Sequence, residues 1–104
     1  MSGQADNPSA EAAPSAADLD AVEKEIDQLQ TRVAAVNSSL NHLHQQQQNS
    51  GFGMRGDIAS RQESMNLNLA KAQNALEHNH VPRAKHFAEQ TASDVEALEK
   101  FLGR

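Results

Sequence analysis

Five histidines are the residues of this chain best suited to hold a metal or move a proton: His42, His44, His78, His80 and His86. Neutral imidazole ligates zinc or copper, but several rings must converge on one point before an ion is held. His42 and His44 stand two apart in a helical stretch, so they point in different directions. Glu77, His78, His80 and His86 cluster around a short turn, and His78, His80 and His86 are the candidate ligands there. Arg83 and Lys85 gather at the same turn, so residues 77–86 carry fixed positive charge beside histidines whose charge responds to pH near neutrality. In an antiparallel arrangement this turn faces the acidic residues Asp18, Asp20 and Glu23, which gives a pH-sensitive charge match. One reading of the chain is therefore a small metal- or pH-responsive binding protein.

Other chemistries find less support. The absence of cysteine removes disulfides, thiolate zinc sites, iron–sulfur clusters and cysteine nucleophiles together. Gly51-Phe52-Gly53-Met54-Arg55-Gly56 spells a G-x-G-x-x-G string. A dinucleotide site needs a strand before that string, and here a polar helix end precedes it, so a helix-to-helix loop is expected. Arg55-Gly56-Asp57 spells an adhesion tripeptide, a string too short to carry information. The serines lie in the N-terminal tail, at helix caps or on polar faces, and no nucleophile, base and oxyanion donor assemble. No catalytic residue and no cofactor site is expected, and the chain reads as non-enzymatic.

The elements that position these residues are helices. The chain has 104 residues, with 9 basic and 14 acidic side chains, a formal charge of −5 and 38% apolar residues. That length allows one small domain with a narrow core. Residues 1–52 carry the whole excess of acid, and residues 53–104 are balanced. With no basic stripe carrying interleaved aromatics, nucleic acid is not the expected partner. No apolar run approaches the ~20 residues of a membrane-spanning helix, and no secretory leader is visible. Membrane insertion is not expected, and the default placement is cytoplasmic.

Residues 1–15 are rich in Ala, Ser, Pro and Gly and lack large apolar residues after Met1, so a disordered tail is expected. A helical domain over 16–104 follows. Ser15 and Asp18 form an imperfect capping box at its start. Leu19, Val22, Ile26, Leu29, Val33, Val36, Leu40 and Leu43 then succeed one another at alternating spacings of three and four. This is an uninterrupted heptad seam on a helix of about 16–47, and its 3.5-residue period implies supercoiling against a partner helix. The glycine-rich residues 51–56 break it, with Phe52 and Met54 expected to fold back on a bundle end. A second helix is expected over about 57–78, capped by Asp57 or by Ser60 with Glu63. Its apolar row is Ile58, Met65, Leu69, Ala72 and Leu76. Pro82 opens a third helix to about 102, with Ala84, Ala88, Thr91, Val95, Leu98 and Leu102 in its row, Phe87 and Phe101 widening it and Gly103 as the stop. The turn between these two is short, so they are antiparallel neighbours.

Residues 69–91, LAKAQNALEHNHVPRAKHFAEQT, resemble the helix–turn–helix of a tetratricopeptide-type repeat, with alternating Ala and large apolar positions, a short turn, then Ala84 and Ala88. The stretch lacks the usual aromatics of the first repeat helix and has no second copy, so it makes no concave repeat surface. The resemblance implies a packed α-hairpin suited to protein contact, and no binding residues.

The expected architecture is all-α: a long heptad helix plus an antiparallel α-hairpin, packed as a three-helix bundle or coiled coil. The expected function is a helical protein–protein interaction or assembly module, its partner a second copy or another helical protein. The eight seam residues from Leu19 to Leu43 are the candidate interface, because the first helix is longer than either hairpin helix can cover.

Overall fold

The computed structural model describes residues 15–49 and 56–103. The tail before Ser15, Phe52, Met54 and most of the glycine-rich string lie outside the described residues. Three helices make up the architecture: α1 (Ala16–Asn49), α2 (Gly56–Glu77) and α3 (Val81–Phe101). They pack as a three-helix bundle with contacts among all three pairs, and the α2–α3 pairing is the most extensive.

Local chemistry sets the ends. Ser15 Oγ accepts a hydrogen bond from the Asp18 N–H at 3.0 Å, the first half of the expected capping box. α1 then runs 34 residues, about 51 Å at 1.5 Å per residue. α2 begins at Gly56, a turn before the Ser60–Glu63 box, which the structure leaves inside the helix. The earlier start places Ile58 in the core, an apolar burial that a helix starting at Ser60 would forgo. At its other end, Asn79 adopts φ 59°. The His80 N–H reaches the Ala75 carbonyl at 2.9 Å and the Asn79 N–H reaches that of Leu76 at 3.0 Å. These two bonds close a Schellman motif with asparagine in the position usually given to glycine. α3 starts one residue before Pro82 with His80 as its N-cap, and no side chain caps it. Gly103, at φ 80°, ends it as expected.

The core lies where the three apolar rows meet. Val22, Ile26, Leu29, Val33, Val36 and Leu40 of α1 are all buried in it, and Leu19 and Leu43 at the ends of the seam are half-buried. Opposite them stand Ile58, Met65, Leu69, Ala72 and Ala75 of α2, and Ala84, Ala88, Thr91, Val95 and Leu98 of α3. The hairpin thus covers nearly the whole seam of its own chain despite its shorter helices. Four buried alanines let α2 and α3 approach closely. Leu76, Phe87 and Leu102 are only partly buried against this core, and Phe101 is exposed at the end of α3 rather than widening its buried stripe.

Candidate functional site

The described polar side chains first serve the helix interfaces, and each pair of helices has its own set. Between α1 and α2, Asn37 Nδ2 donates to Asn66 Oδ1 at 2.8 Å, and Asn66 Nδ2 returns a bond to Asn37 Oδ1 at 3.3 Å. Gln62 Nε2 adds bonds to Asn37 Oδ1 and Asn41 Oδ1. As the α1 partner advances from 37 to 41, the α2 partner falls from 66 to 62, so these helices are antiparallel. Between α1 and α3, Arg32 forks onto Glu99, with Nη2–Oε1 at 2.6 Å and Nε–Oε2 at 3.1 Å. The hydrogen bonds it donates to Glu99, and the charge of that carboxylate, hold the Arg32 guanidinium above its ordinary pKa against an opposing effect of burial.

Between α2 and α3 the hub is Asp94, only 6% exposed. Its Oδ2 accepts from Ser64 Oγ at 2.7 Å and from Asn68 Nδ2 at 3.3 Å, and its Oδ1 accepts from Arg61 Nη1 at 3.2 Å. Asn68 also donates to Ser64 Oγ at 3.2 Å. Arg61, Ser64, Asn68 and Lys71 follow the three–four spacing of a helix seam. A surface cleft of about 310 Å³ opens beside the hub, lined by Asp57, Ser60, Arg61, Ser64 and Asp94. Ser64 shares its carboxylate with arginine and asparagine rather than with an imidazole. This arrangement ties α2 and α3 together through hydrogen bonds to one buried carboxylate.

The histidines divide between the two ends of the bundle. His42 borders a cleft of about 410 Å³ with Leu43 and Leu102. His44 is half-buried, and its Nδ1 is buried without a hydrogen-bond partner. His78 and His80 lie in the α2–α3 turn, with ring centroids 6.2 Å apart. His78 Nδ1 lies 2.8 Å from the Asn74 carbonyl, which can only accept, so this nitrogen carries the proton. His86 instead meets the ring of Phe87 edge-on at 5.2 Å. Among the described residues no group of three or more His, Asp or Glu side chains is placed to hold a metal ion. Of the candidates His78, His80 and His86, the first two are spatial neighbours, and the three form no such group.

The turn does lie beside the acidic start of α1. A cleft of about 450 Å³ brings Leu19, Asp20 and Glu23 together with Leu76, Glu77 and Asn79. Its charges do not pair as the sequence suggested. Arg83 stands over the Phe87 ring, 5.2 Å from its centroid, and Lys71 Nζ lies 5.4 Å from the same point. Neither cation has a carboxylate within ion-pairing distance among the described residues. Sequence reasoning missed Asp94 and the amide ladder. The seam spacing of Arg61, Ser64, Asn68 and Lys71 was the available signal.

Fold and site together define a three-helix bundle with polar contacts built into each helix interface. No family model, no curated protein and no solved structure matches the chain. Residues 69–91, which resemble a tetratricopeptide-type unit, form an antiparallel hairpin packed through alanines. No described helix is long and apolar enough to cross a membrane.

Proposed function

We propose that this chain is a non-enzymatic helical module for protein–protein interaction or assembly. One observation carries the reading: apolar surface stays open at both ends of an otherwise closed seam. Leu19 and Leu76 are half-covered at one end, and Leu43 and Leu102 at the other. Leu67 adds an exposed apolar side chain on α2, at 55% exposure. The buried middle of the seam cannot meet a partner without opening the bundle, so partners dock on the ends and outer faces. The burial of Val22, Ile26, Leu29, Val33, Val36 and Leu40 among residues of α2 and α3 supports a coiled-coil-like fit of α1 to its own hairpin.

The test is amine crosslinking in the cells that make the protein, read by mass spectrometry. Lys24, Lys71, Lys85 and Lys100 are exposed and available to the reagent. A reproducible crosslink from one of these lysines to a second polypeptide, identical or different, is the expected result. Absence of any protein crosslink from all four refutes the reading.

A further inference from the structure

Two surfaces of this chain complement each other. The first is the cleft at the start of α1. Its floor is apolar, formed by Leu19 and Leu76, and its rim carries Asp20, Glu23 and Glu77. None of these three carboxylates has an ion-pair partner among the described residues. The second surface surrounds Phe87. The ring is half-buried, Lys71 and Arg83 stand about 5 Å from its centroid, and His86 lies against its edge. Neither cation has a carboxylate within ion-pairing distance among the described residues, so an incoming carboxylate would meet two cations with no competing ion pair.

We infer that two copies of this chain associate through these surfaces, the acidic Leu19–Leu76 cleft of one receiving the cationic Phe87 face of the other. The inference rests on the interaction reading above and names its partner. Charge complementarity selects the occupant: three unpaired acids around an apolar floor meet two unpaired cations around an aromatic ring. A general acidic partner would fit the Phe87 face alone, whereas a second copy satisfies both surfaces. Both also lie toward the turn end of the bundle, since Glu77 and Asn79 line the cleft and Arg83 follows four residues later. A two-fold arrangement can therefore make the contact twice, each copy giving and receiving. Contacts of this kind are weakened by salt, because exposed charges are screened beyond about 8–10 Å at physiological ionic strength.

The experiment is solution mass by size exclusion with light scattering, detected by refractive index because the chain has neither Trp nor Tyr. The expected result at low salt is a concentration-dependent mass approaching twice 11.3 kDa, with the dissociation constant rising about tenfold or more in 0.5 M NaCl. A variant with K71E and R83E, and another with D20K and E23K, each lose association at least tenfold while keeping the far-UV helical signal of the parent. Mixed together they regain a dimer, because each reversed surface meets its reversed counterpart. A mass that stays at 11.3 kDa up to millimolar protein overturns the inference. So does association indifferent to the reversals, or a mixture that fails to recover. Should the chain be monomeric while crosslinking in cells finds a different protein, this inference fails and the interaction reading stands. If no protein crosslink appears at all, the interaction reading fails with it.

Discussion

Replacing Asp94 with alanine tests whether the α2–α3 hub contributes to stability. The carboxylate is almost fully buried and accepts three hydrogen bonds, from Ser64, Asn68 and Arg61. Hydrogen bonds to a charged group contribute about 1.5–3 kcal/mol each at their strongest. Three effects reduce the net value here. Arg61 is 48% exposed, so its ion pair is screened and contributes about 0–1 kcal/mol at most. Ser64 and Asn68 keep their bond to each other once the carboxylate is gone. Removing the acid also recovers its desolvation penalty, and alanine is the better helix former by about 0.5 kcal/mol. The expected loss is about 1–2 kcal/mol. For a domain of this size that lowers Tm by roughly 5–15 °C. The assay is thermal unfolding followed at 222 nm, since the chain has no tryptophan or tyrosine to report by fluorescence. The ranking is as informative as the size: Asp94→Ala should cost most, Ser64→Ala less and Arg61→Ala least. An Asp94→Ala protein with unchanged or raised Tm, or an Arg61→Ala loss larger than that of Asp94→Ala, refutes the reasoning.

Leu40 is fully buried, and Leu40→Ala should cost about 2–5 kcal/mol, read as a fall in the urea midpoint at unchanged slope. Val33→Asn should unfold the single chain instead of only separating copies, because Val33 packs inside the bundle; a folded, dissociated Val33→Asn protein would contradict that placement. Ala88 is fully buried, so Ala88→Leu should destabilise by about 1–3 kcal/mol through overpacking, measured by the same denaturation. At the turn, Asn79 holds φ 59°, so Asn79→Ala should lose about 1 kcal/mol whereas Asn79→Gly should be neutral or slightly stabilising, a difference visible in Tm.

The parts of this fold legible in the sequence are those that depend on spacing alone. The α1 seam, the short turn and the alanine-lined hairpin all follow from period and punctuation, and so does the separation of the histidines to opposite ends. What spacing leaves open is how each helix is rotated about its own axis. That rotation decides whether Asn37 meets Asn66 and whether Asp94 meets Ser64. Asp94 is the clearest case. A lone acid beside Thr91 and Val95 reads as the edge of an apolar stripe, and only the facing polar row of α2 explains its burial. The start of α2 was legible to within a residue, expected near Asp57 and found at Gly56; of the two caps the sequence offered, the Ser60–Glu63 motif lies inside the helix, because the earlier start buries Ile58. At the acidic start of α1, proximity to the turn was legible. The lack of pairing was not, because the Phe87 ring competes for Arg83.

A bundle of three helices can wind in two ways, with the third helix to the left or to the right of the first pair. Both windings bury the same apolar rows, so a seam of valines, leucines and alanines scarcely distinguishes them. Side chains flanking the seam do distinguish them, because exchanging the places of α2 and α3 turns each flank of α1 toward the other helix. Arg32 would then look across at α2 and leave Glu99 behind, and Asn37 would lose Asn66 for a helix that offers no matching amide at that height. The polar sets on the two flanks of α1 are satisfied in this winding and would be broken in the other, so they favour one hand over its near-mirror.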